Sequence, residues 1–354
     1  MLSRFAPARP PLPPRERGRG FAGGTKLSPV VGSLGPIPLP ARGQKASGYF
    51  AFDDAQVNLG KYEWPYFAVV GQQDGPRFLL TAGIHAAEYT GILAAIRLGR
   101  ELQSEQVQGT VIIIPLLNRP GFWERSIYIN PEDGENLNRV FPGSPDGTWS
   151  QRFAHHLLND VVVQCDYAMD LHAGDMIEDL EPFVIFSETG DAEVDARSRR
   201  MIDSYGVRWA TRAVPTGERP GMLYAAAAAR GVPAIIAESG RCGLVEEEAV
   251  QRHVDGVRNI WRTLGLLTDA PPRAVDPPRV LSRFEWLRSD QEGIFECDVH
   301  VNAHVQAGQS LGRMIDLIGN QLDEVKSPTD GVVLFTVTSP AIQRGGLLLG
   351  VGVP

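Results

Sequence analysis

Residues 81–88 read Thr-Ala-Gly-Ile-His-Ala-Ala-Glu, which sets an imidazole, His85, three positions before a carboxylate, Glu88. An apolar run precedes the pair and a helix-like stretch follows it. Both side chains therefore leave the end of a strand, where ligands gather in α/β sheets. A nitrogen and an oxygen donor aimed into one small volume suit a zinc ion. The pair alone is a weak signal, because a surface histidine followed by a glutamate serving a helix dipole has the same spacing. A catalytic zinc usually takes three protein ligands and keeps a position for water. His172 meets that need, standing in Ala-Met-Asp-Leu-His-Ala-Gly (residues 168–174), after a second apolar run and before a glycine turn. Asp170, on the same strand face, could orient an imidazole. Taken singly, His172 reads equally well as a hydrogen-bonded loop histidine.

Amide hydrolysis also needs a group that takes a proton from water and hands it to the leaving amine. Glu238 ends the apolar run Pro233-Ala234-Ile235-Ile236-Ala237 and precedes Ser239-Gly240, so its carboxylate emerges from a buried strand at the rim of a sheet. A salt-bridged structural glutamate is the rival reading. Between the first and third ligands lies Asn136-Leu137-Asn138-Arg139-Val140-Phe141-Pro142-Gly143, preceded by Arg125 in a turn-rich loop. Guanidinium groups near a zinc site suit carboxylate anchoring and oxyanion stabilisation. The alternative is that one or both of Arg125 and Arg139 simply pair with nearby acids such as Glu124, Glu132, Asp133 and Glu135.

The elements that must position these groups follow from periodicity. Short apolar runs bounded by turn residues predict strands at Tyr66–Val70, Arg77–Ala82, Thr110–Pro115, Tyr167–Leu171, Phe183–Phe186 and Ala234–Ala237. Helical spacing predicts helices at Glu88–Gln103, Trp149–Val163, Asp191–Tyr205, Gly221–Arg230 and Glu246–Leu266. The alternation marks an α/β domain over residues 47–268 with its sheet covered on both faces. Residues 269–280 hold four prolines and read as a linker. Residues 281–354 show short β runs and glycine turns and predict a small all-β domain. That stretch resembles the barrel-sandwich fold of biotinyl and lipoyl carriers, but Met314 is followed by Ile315-Asp316-Leu317, without the modified lysine. A structural or substrate-gating appendage is the expectation.

Residues 1–46, rich in Pro, Arg and Gly at their start, are expected to form a largely disordered tail and lead-in segment. They hold no apolar stretch of the kind a secretory signal needs. A flexible tail, a start codon assigned too far upstream and an organellar transit peptide all stay open. The body of the chain has no apolar run near the roughly 20 residues of a membrane helix, and its formal net charge of -8 comes without a basic, aromatic-interleaved patch. Neither a membrane nor a nucleic acid is expected as partner, and a small molecule is. Cys165, Cys242 and Cys297 lack CxxC spacing, which argues against disulfides and thiolate zinc and for the cytoplasm. Homo-oligomerisation stays open.

The pieces GIHAAE, NLNRVFPG, DLH and AESG, in this order, closely resemble the succinylglutamate desuccinylase and aspartoacylase family, a branch of the zinc-carboxypeptidase fold. The similarity spans about Pro29 to Pro354. It implies a zinc-carboxypeptidase-like mixed sheet flanked by helices, and one zinc per chain held by His85, Glu88 and His172. It also implies Glu238 as general base and then general acid, Arg125 as the oxyanion-stabilising arginine, and Asn138 with Arg139 as the grip on the α-carboxylate of an N-acyl amino acid. Ala86 and Ala87 stand where many relatives carry Gly and another small residue, so ligand geometry is expected to survive. Within the family the pattern is similar to deacylases carrying YxNPxDGxNLNRxFPG. The function so implied is deacylation of a small N-acyl amino acid or related N-acyl amine. A metallocarboxypeptidase acting on peptides and a catalytically silent metal-dependent binding protein are the rivals.

Overall fold

Burial along the central strands alternates between two faces, as a sheet covered on both sides requires. In the computed structural model, which describes residues 30–213 and 221–354, Leu79, Ile112, Ala168 and Ile236 pack into one core. Phe78, Val111, Met169 and Ile235 pack into another on the opposite face. The expected tail up to residue 29 lies outside the described residues. Strand structure begins at Val30, inside the stretch that composition placed in the lead-in segment.

Strands β1 (Val30–Leu34) and β2 (Ile37–Pro40) form a hairpin. The main sheet is built from β3 (Gln44–Phe50), β4 (Trp64–Val70), β5 (Gln73–Ala82), β6 (Gln108–Ile114) and β7 (Tyr167–His172). After β8 (Glu178–Leu180), which pairs elsewhere, it is completed by β9 (Phe183–Ser187), β10 (Trp209–Ala213), β11 (Ala234–Glu238) and β12 (Arg279–Val280). Its nine strands run in the order β12-β10-β9-β11-β7-β5-β6-β4-β3. The middle four, β11, β7, β5 and β6, are mutually parallel, so their C-terminal ends share one rim.

Helices α1 (Tyr89–Glu101), α4 (Ala192–Tyr205) and α6 (Glu247–Thr263) cover the face that buries Phe78. Of the shorter α2 (Arg119–Glu124), α3 (Trp149–His156) and α5 (Leu223–Ala229), the last two cover the other face. Local chemistry sets several ends. Asp191 caps α4 by accepting the amides of Glu193 and Val194 at 2.9 and 3.2 Å, and Gly206, at φ 94°, stops it. Helix α6 repeats apolar residues at Val250, Val254, Val257 and Trp261, a stripe that docks on the sheet. The expected single helix over Trp149–Val163 instead changes pitch after His156 to a π turn over Leu157–Val161 and a 3-10 turn over Val162–Gln164. The wider turn keeps Leu157, Leu158, Val161 and Val162 all in the core.

Beyond β12 the chain forms β13 (Arg283–Arg288), β14 (Gly293–Cys297), β15 (His304–Val305), β16 (Ser310–Ile315), β17 (Gln321–Lys326), β18 (Gly331–Val337), β19 (Ala341–Ile342) and β20 (Leu347–Val353). They make two antiparallel sheets around a core that includes Phe295, Leu311, Met314, Val333 and Leu349. This all-β unit is joined to the main sheet twice. Strand β8, in the loop after β7, pairs with β18, and Phe183 and Trp209 share an apolar cluster with Leu281, Val332 and Leu334. Among the described residues no helix is long and apolar enough to cross a membrane.

Candidate active site

The C-terminal rim of the parallel strands collects the candidate residues because of how each strand ends. Strand β5 stops at Ala82, and the turn to α1 carries His85, with Glu88 in the N-cap position of that helix. His172 is the last residue of β7 and Glu238 the last of β11, and the two are direct register partners. Helix α1 can press onto β7 because residue 91 is glycine: a Cβ there would stand 2.8 Å from the Leu171 carbonyl oxygen. That close approach brings Glu88 to His172.

The Glu88 carboxylate lies between the two imidazoles. Its Oε1 is 2.6 Å from His85 Nδ1, and its Oε2 is 2.9 Å from His172 Nδ1 while accepting the Ala173 amide at 3.1 Å. One donor atom from each of His85, Glu88 and His172 falls within a 4.8 Å span, and the rings stand edge to face with centroids 5.0 Å apart. Each outer nitrogen is engaged as well. His85 Nε2 donates to Asn136 Oδ1 at 3.2 Å, and His172 Nε2 donates to Asp170 Oδ2 at 2.9 Å. The other Asp170 oxygen accepts the Thr81 hydroxyl at 2.7 Å. While protonated, both Nδ1 atoms donate to Glu88; once that proton leaves, an imidazole whose Nε2 proton is held by a fixed acceptor presents Nδ1 as the lone-pair donor, the arrangement that metal-binding histidines adopt.

The electrostatics agree with a cation at this point. Burial alone would lift the Glu88 pKa, but the charges and hydrogen bonds of His172 and His85 overcome it and hold the group at about 2. For His172, burial favours the neutral ring, yet Glu88, Asp170 and Glu238 drive its pKa well above normal. Glu238 is pushed up to about 8 by burial, with Glu88 and Asp170 adding to the rise and His172 and Arg139 opposing it. Its nearest charged partner is His172 Nδ1, 4.0 Å from Oε1. Two further acids in the loop after β7 respond in the same way. Asp175 is raised to about 6 and Glu178 to about 9, each mainly by burial. Carboxylates crowded this closely are relieved by a divalent ion, whose charge reverses the local preference for protonation. The donor set of two imidazoles, one carboxylate and a neighbouring unliganded acid fits zinc.

The remaining expected residues divide. Asn138 is buried, its Oδ1 taken by the Leu223 amide at 3.0 Å, and its Nδ2 faces the cluster 3.5 Å from His172 Nε2. Arg139 follows in the same 3-10 turn, over Leu137–Arg139, bonded through Nη1 to the Asn138 carbonyl at 2.8 Å. The surrounding protein lowers its pKa, while Glu88, Tyr224, Glu178 and Glu238 oppose that shift through their charge. Arg125 is exposed and takes a left-handed φ of 55° as the C-cap of α2, and among the described residues no hydrogen bond or ion pair ties its side chain to the cluster. The pairing of Arg125 or Arg139 with Glu124, Glu132, Asp133 or Glu135 is likewise not seen among the described residues.

Several participants escape sequence reasoning. Asn136 lies inside the NLNR stretch yet carries no sign of which ring it holds. Asp175 and Glu178 were signalled only as acids beyond a strand end. His253, buried midway along α6 with its pKa pushed down to about 4 by burial, carries no local signal at all.

Residues 74–264 match a family described as the succinylglutamate desuccinylase/aspartoacylase catalytic domain. The N-alpha-acetyl-L-2,4-diaminobutyric acid deacetylase of Halomonas elongata is 30% identical over 285 residues, 78% of this chain and 82% of that protein. The product-bound ectoine utilization protein EutE (DoeB) of Ruegeria pomeroyi superposes with a TM-score of 0.79 at 25% identity, covering 90% of this chain and 99% of the other. A succinylglutamate desuccinylase/aspartoacylase from Rhodobacter sphaeroides gives 0.76 at 26% identity, covering 87% and 95%.

Proposed function

Because the chain belongs to the succinylglutamate desuccinylase/aspartoacylase family, we propose that it is a zinc-dependent deacylase cleaving the amide bond of a small N-acyl amino acid or related N-acyl amine. The observation that carries this reading is the convergence of donor atoms from His85, Glu88 and His172 within 4.8 Å, with Glu238 directly across the strand pair from His172. In this reading those three residues hold one zinc. When bound there, zinc supplies Lewis acidity, easing removal of a proton from water and polarising the scissile carbonyl.

The chain's own groups supply the rest. Asn136 and Asp170 fix the two rings through their Nε2 atoms, which keeps both Nδ1 atoms turned toward the centre. Glu238 takes a proton from water onto its carboxylate and returns it to the leaving amine. Arg139, with the Asn138 amide, grips the substrate carboxylate. Arg125 is assigned to the developing oxyanion once substrate is bound, its exposed side chain having no competing partner among the described residues. Asp175 and Glu178 favour a substrate with a cationic side chain over an acidic one, since an ammonium beside them offsets their crowding. The Halomonas relative's name points to an amino acid with a second amine, which supports the same choice. The all-β unit is read as a structural and gating appendage, because exposed Leu317 and Ile318 form the turn where a carrier would present its lysine. Free Cys165, Cys242 and Cys297 suit a cytoplasmic enzyme.

The test is a hydrolysis screen of the zinc-loaded protein against N-acetyl, N-succinyl and longer N-acyl amino acids, with N-acetyl-2,4-diaminobutyrate set against N-acetylaspartate. Stoichiometric zinc and turnover of a small N-acyl amino acid, lost on chelation and restored by zinc, is the expected result. Release of C-terminal residues from peptides instead would favour the carboxypeptidase reading. Tight binding of intact substrate without product would favour a binding protein.

A further inference from the structure

The main chain that carries the candidate ligands is tied to α6 by one side chain that the proposed chemistry does not use. His253 is fully buried, and its Nε2 lies 3.0 Å from the His172 carbonyl oxygen and 3.2 Å from the Ser239 carbonyl oxygen. Both of those atoms only accept, so Nε2 carries a proton shared between them. Nδ1 then accepts the Tyr205 hydroxyl at 2.7 Å, which fixes the neutral tautomer. The two carbonyls belong to the last residue of β7 and to the residue directly after β11, the segments that present His172 and Glu238.

The Ser239 peptide is the centre of a larger knot. Its amide donates to the His172 carbonyl at 3.1 Å. Its carbonyl also accepts the hydroxyl of Thr90, buried in the first turn of α1 two residues after Glu88, at 2.6 Å. Residue 240 must be glycine for this approach. It sits at φ 109°, and a Cβ there would come within 2.5 Å of Thr90 Oγ1. One buried cluster of hydrogen bonds thus joins the three segments that carry Glu88, His172 and Glu238. A buried donor aimed at two carbonyls is costly to leave unmet, and small displacements of reacting groups cost far more in rate than in stability.

We propose that His253 is a positioning residue of this centre: its Nε2 proton, together with the Thr90 hydroxyl, sets the spacing of the strand and helix ends that present Glu88, His172 and Glu238. The inference rests on the zinc deacylase reading. Helix α6, which supplies none of the proposed ligands or catalytic groups, is the element against which the site is gauged.

The experiment compares His253→Leu, which keeps volume and loses the donor, with His253→Gln, whose amide nitrogen can stand near Nε2. Zinc affinity is read by competition with a chromophoric chelator, and kcat and KM are read separately. His253→Leu is expected to weaken zinc binding by about 10- to 100-fold and to lower kcat more than it raises KM. His253→Gln is expected to recover most of both. A folded His253→Leu protein with wild-type zinc affinity and kcat overturns the proposal, and so does a Gln variant as impaired as the Leu variant, which would show packing alone. If His253→Leu does not fold, near-isosteric Thr90→Val decides: weaker zinc binding in a folded protein supports the knot, and unchanged binding overturns it. Wild-type protein that neither binds zinc nor hydrolyses any N-acyl amino acid overturns the functional reading instead, a result distinguishable from every variant outcome.

Discussion

Replacing Glu238 with glutamine separates proton transfer from metal binding, and the structure sets the size of each effect. Glutamine matches glutamate in shape but cannot take a proton from water at neutral pH. A positioned general acid–base contributes about 10²- to 10⁴-fold, so kcat should fall by that factor, about 2.7–5.4 kcal/mol of barrier. Zinc should stay. Glu238 Oε1 is 4.0 Å from His172 Nδ1, whereas the Glu88 oxygens lie 2.6 and 2.9 Å from the two Nδ1 atoms. The charge that organises the donors is therefore Glu88's.

Stability gives an independent check with a definite sign. In metal-free protein the Glu238 pKa is raised from 4.5 to about 8. The folded chain then keeps a proton that the unfolded chain releases, and stability falls as pH climbs from about 4.5 to about 8. Glutamine has no such dependence. Metal-free Glu238→Gln should match wild type at pH 4 and gain on it steadily toward pH 8. The assays are steady-state hydrolysis of the best substrate from the screen, zinc per chain by elemental analysis, and thermal melts across that pH range. A variant that retains zinc and turns over within a few-fold of wild type would remove Glu238 from proton transfer. One that loses zinc would make Glu238 a ligand and undo the division of roles.

Asp170→Asn keeps the size of the group that receives His172 Nε2 and the Thr81 hydroxyl but weakens its hold on the ring. Zinc affinity or activity should drop about 10- to 100-fold, measured by chelator competition, and wild-type values would argue that the ring is held by packing. Arg139→Ala should raise KM for substrates bearing a free α-carboxylate and leave the corresponding amides little affected. Equal losses for both would place its role outside carboxylate binding. Removing residues 281–354 should destabilise the remainder rather than simply open the cleft, since β8 loses its partner β18 and Phe183 and Trp209 lose their cover. Partial exposure of the two aromatics places the loss at up to about 3–6 kcal/mol, visible as a lower Tm and poor soluble yield, and a truncated protein as stable as full-length would refute it.

Much of the fold was legible because its central strands are short, apolar runs whose ends carry unlike residues. The runs at Arg77–Ala82, Tyr167–Leu171 and Ala234–Ala237 became β5, β7 and β11 within a few residues. His172 and Glu238 belong to the strands themselves, and polar side chains at the end of a buried run must meet something other than core. The helix change at His156 was not legible, since apolar residues at 157, 158, 161 and 162 suit a continued α-helix as well as a wider turn. Strands β3 and β10 carry mixed burial or lie at the margin of the sheet and lack a strong period.

What the sequence by itself determined is the inventory of the candidate site: two histidines and two glutamates at the ends of strands or just beyond them, and an asparagine–arginine pair in a connecting segment. Residue type and local period carry that information, because both act over neighbouring positions. Only the tertiary structure decided which atoms meet. It turned both Nδ1 atoms toward Glu88, set Asn136 and Asp170 behind the rings, left Arg125 exposed without a partner among the described residues, and placed His253 beneath two carbonyls at the ends of separate strands. Those outcomes depend on rotamers and on contacts between segments far apart in the chain, and no periodic pattern within either segment encodes a partner that packing alone brings near.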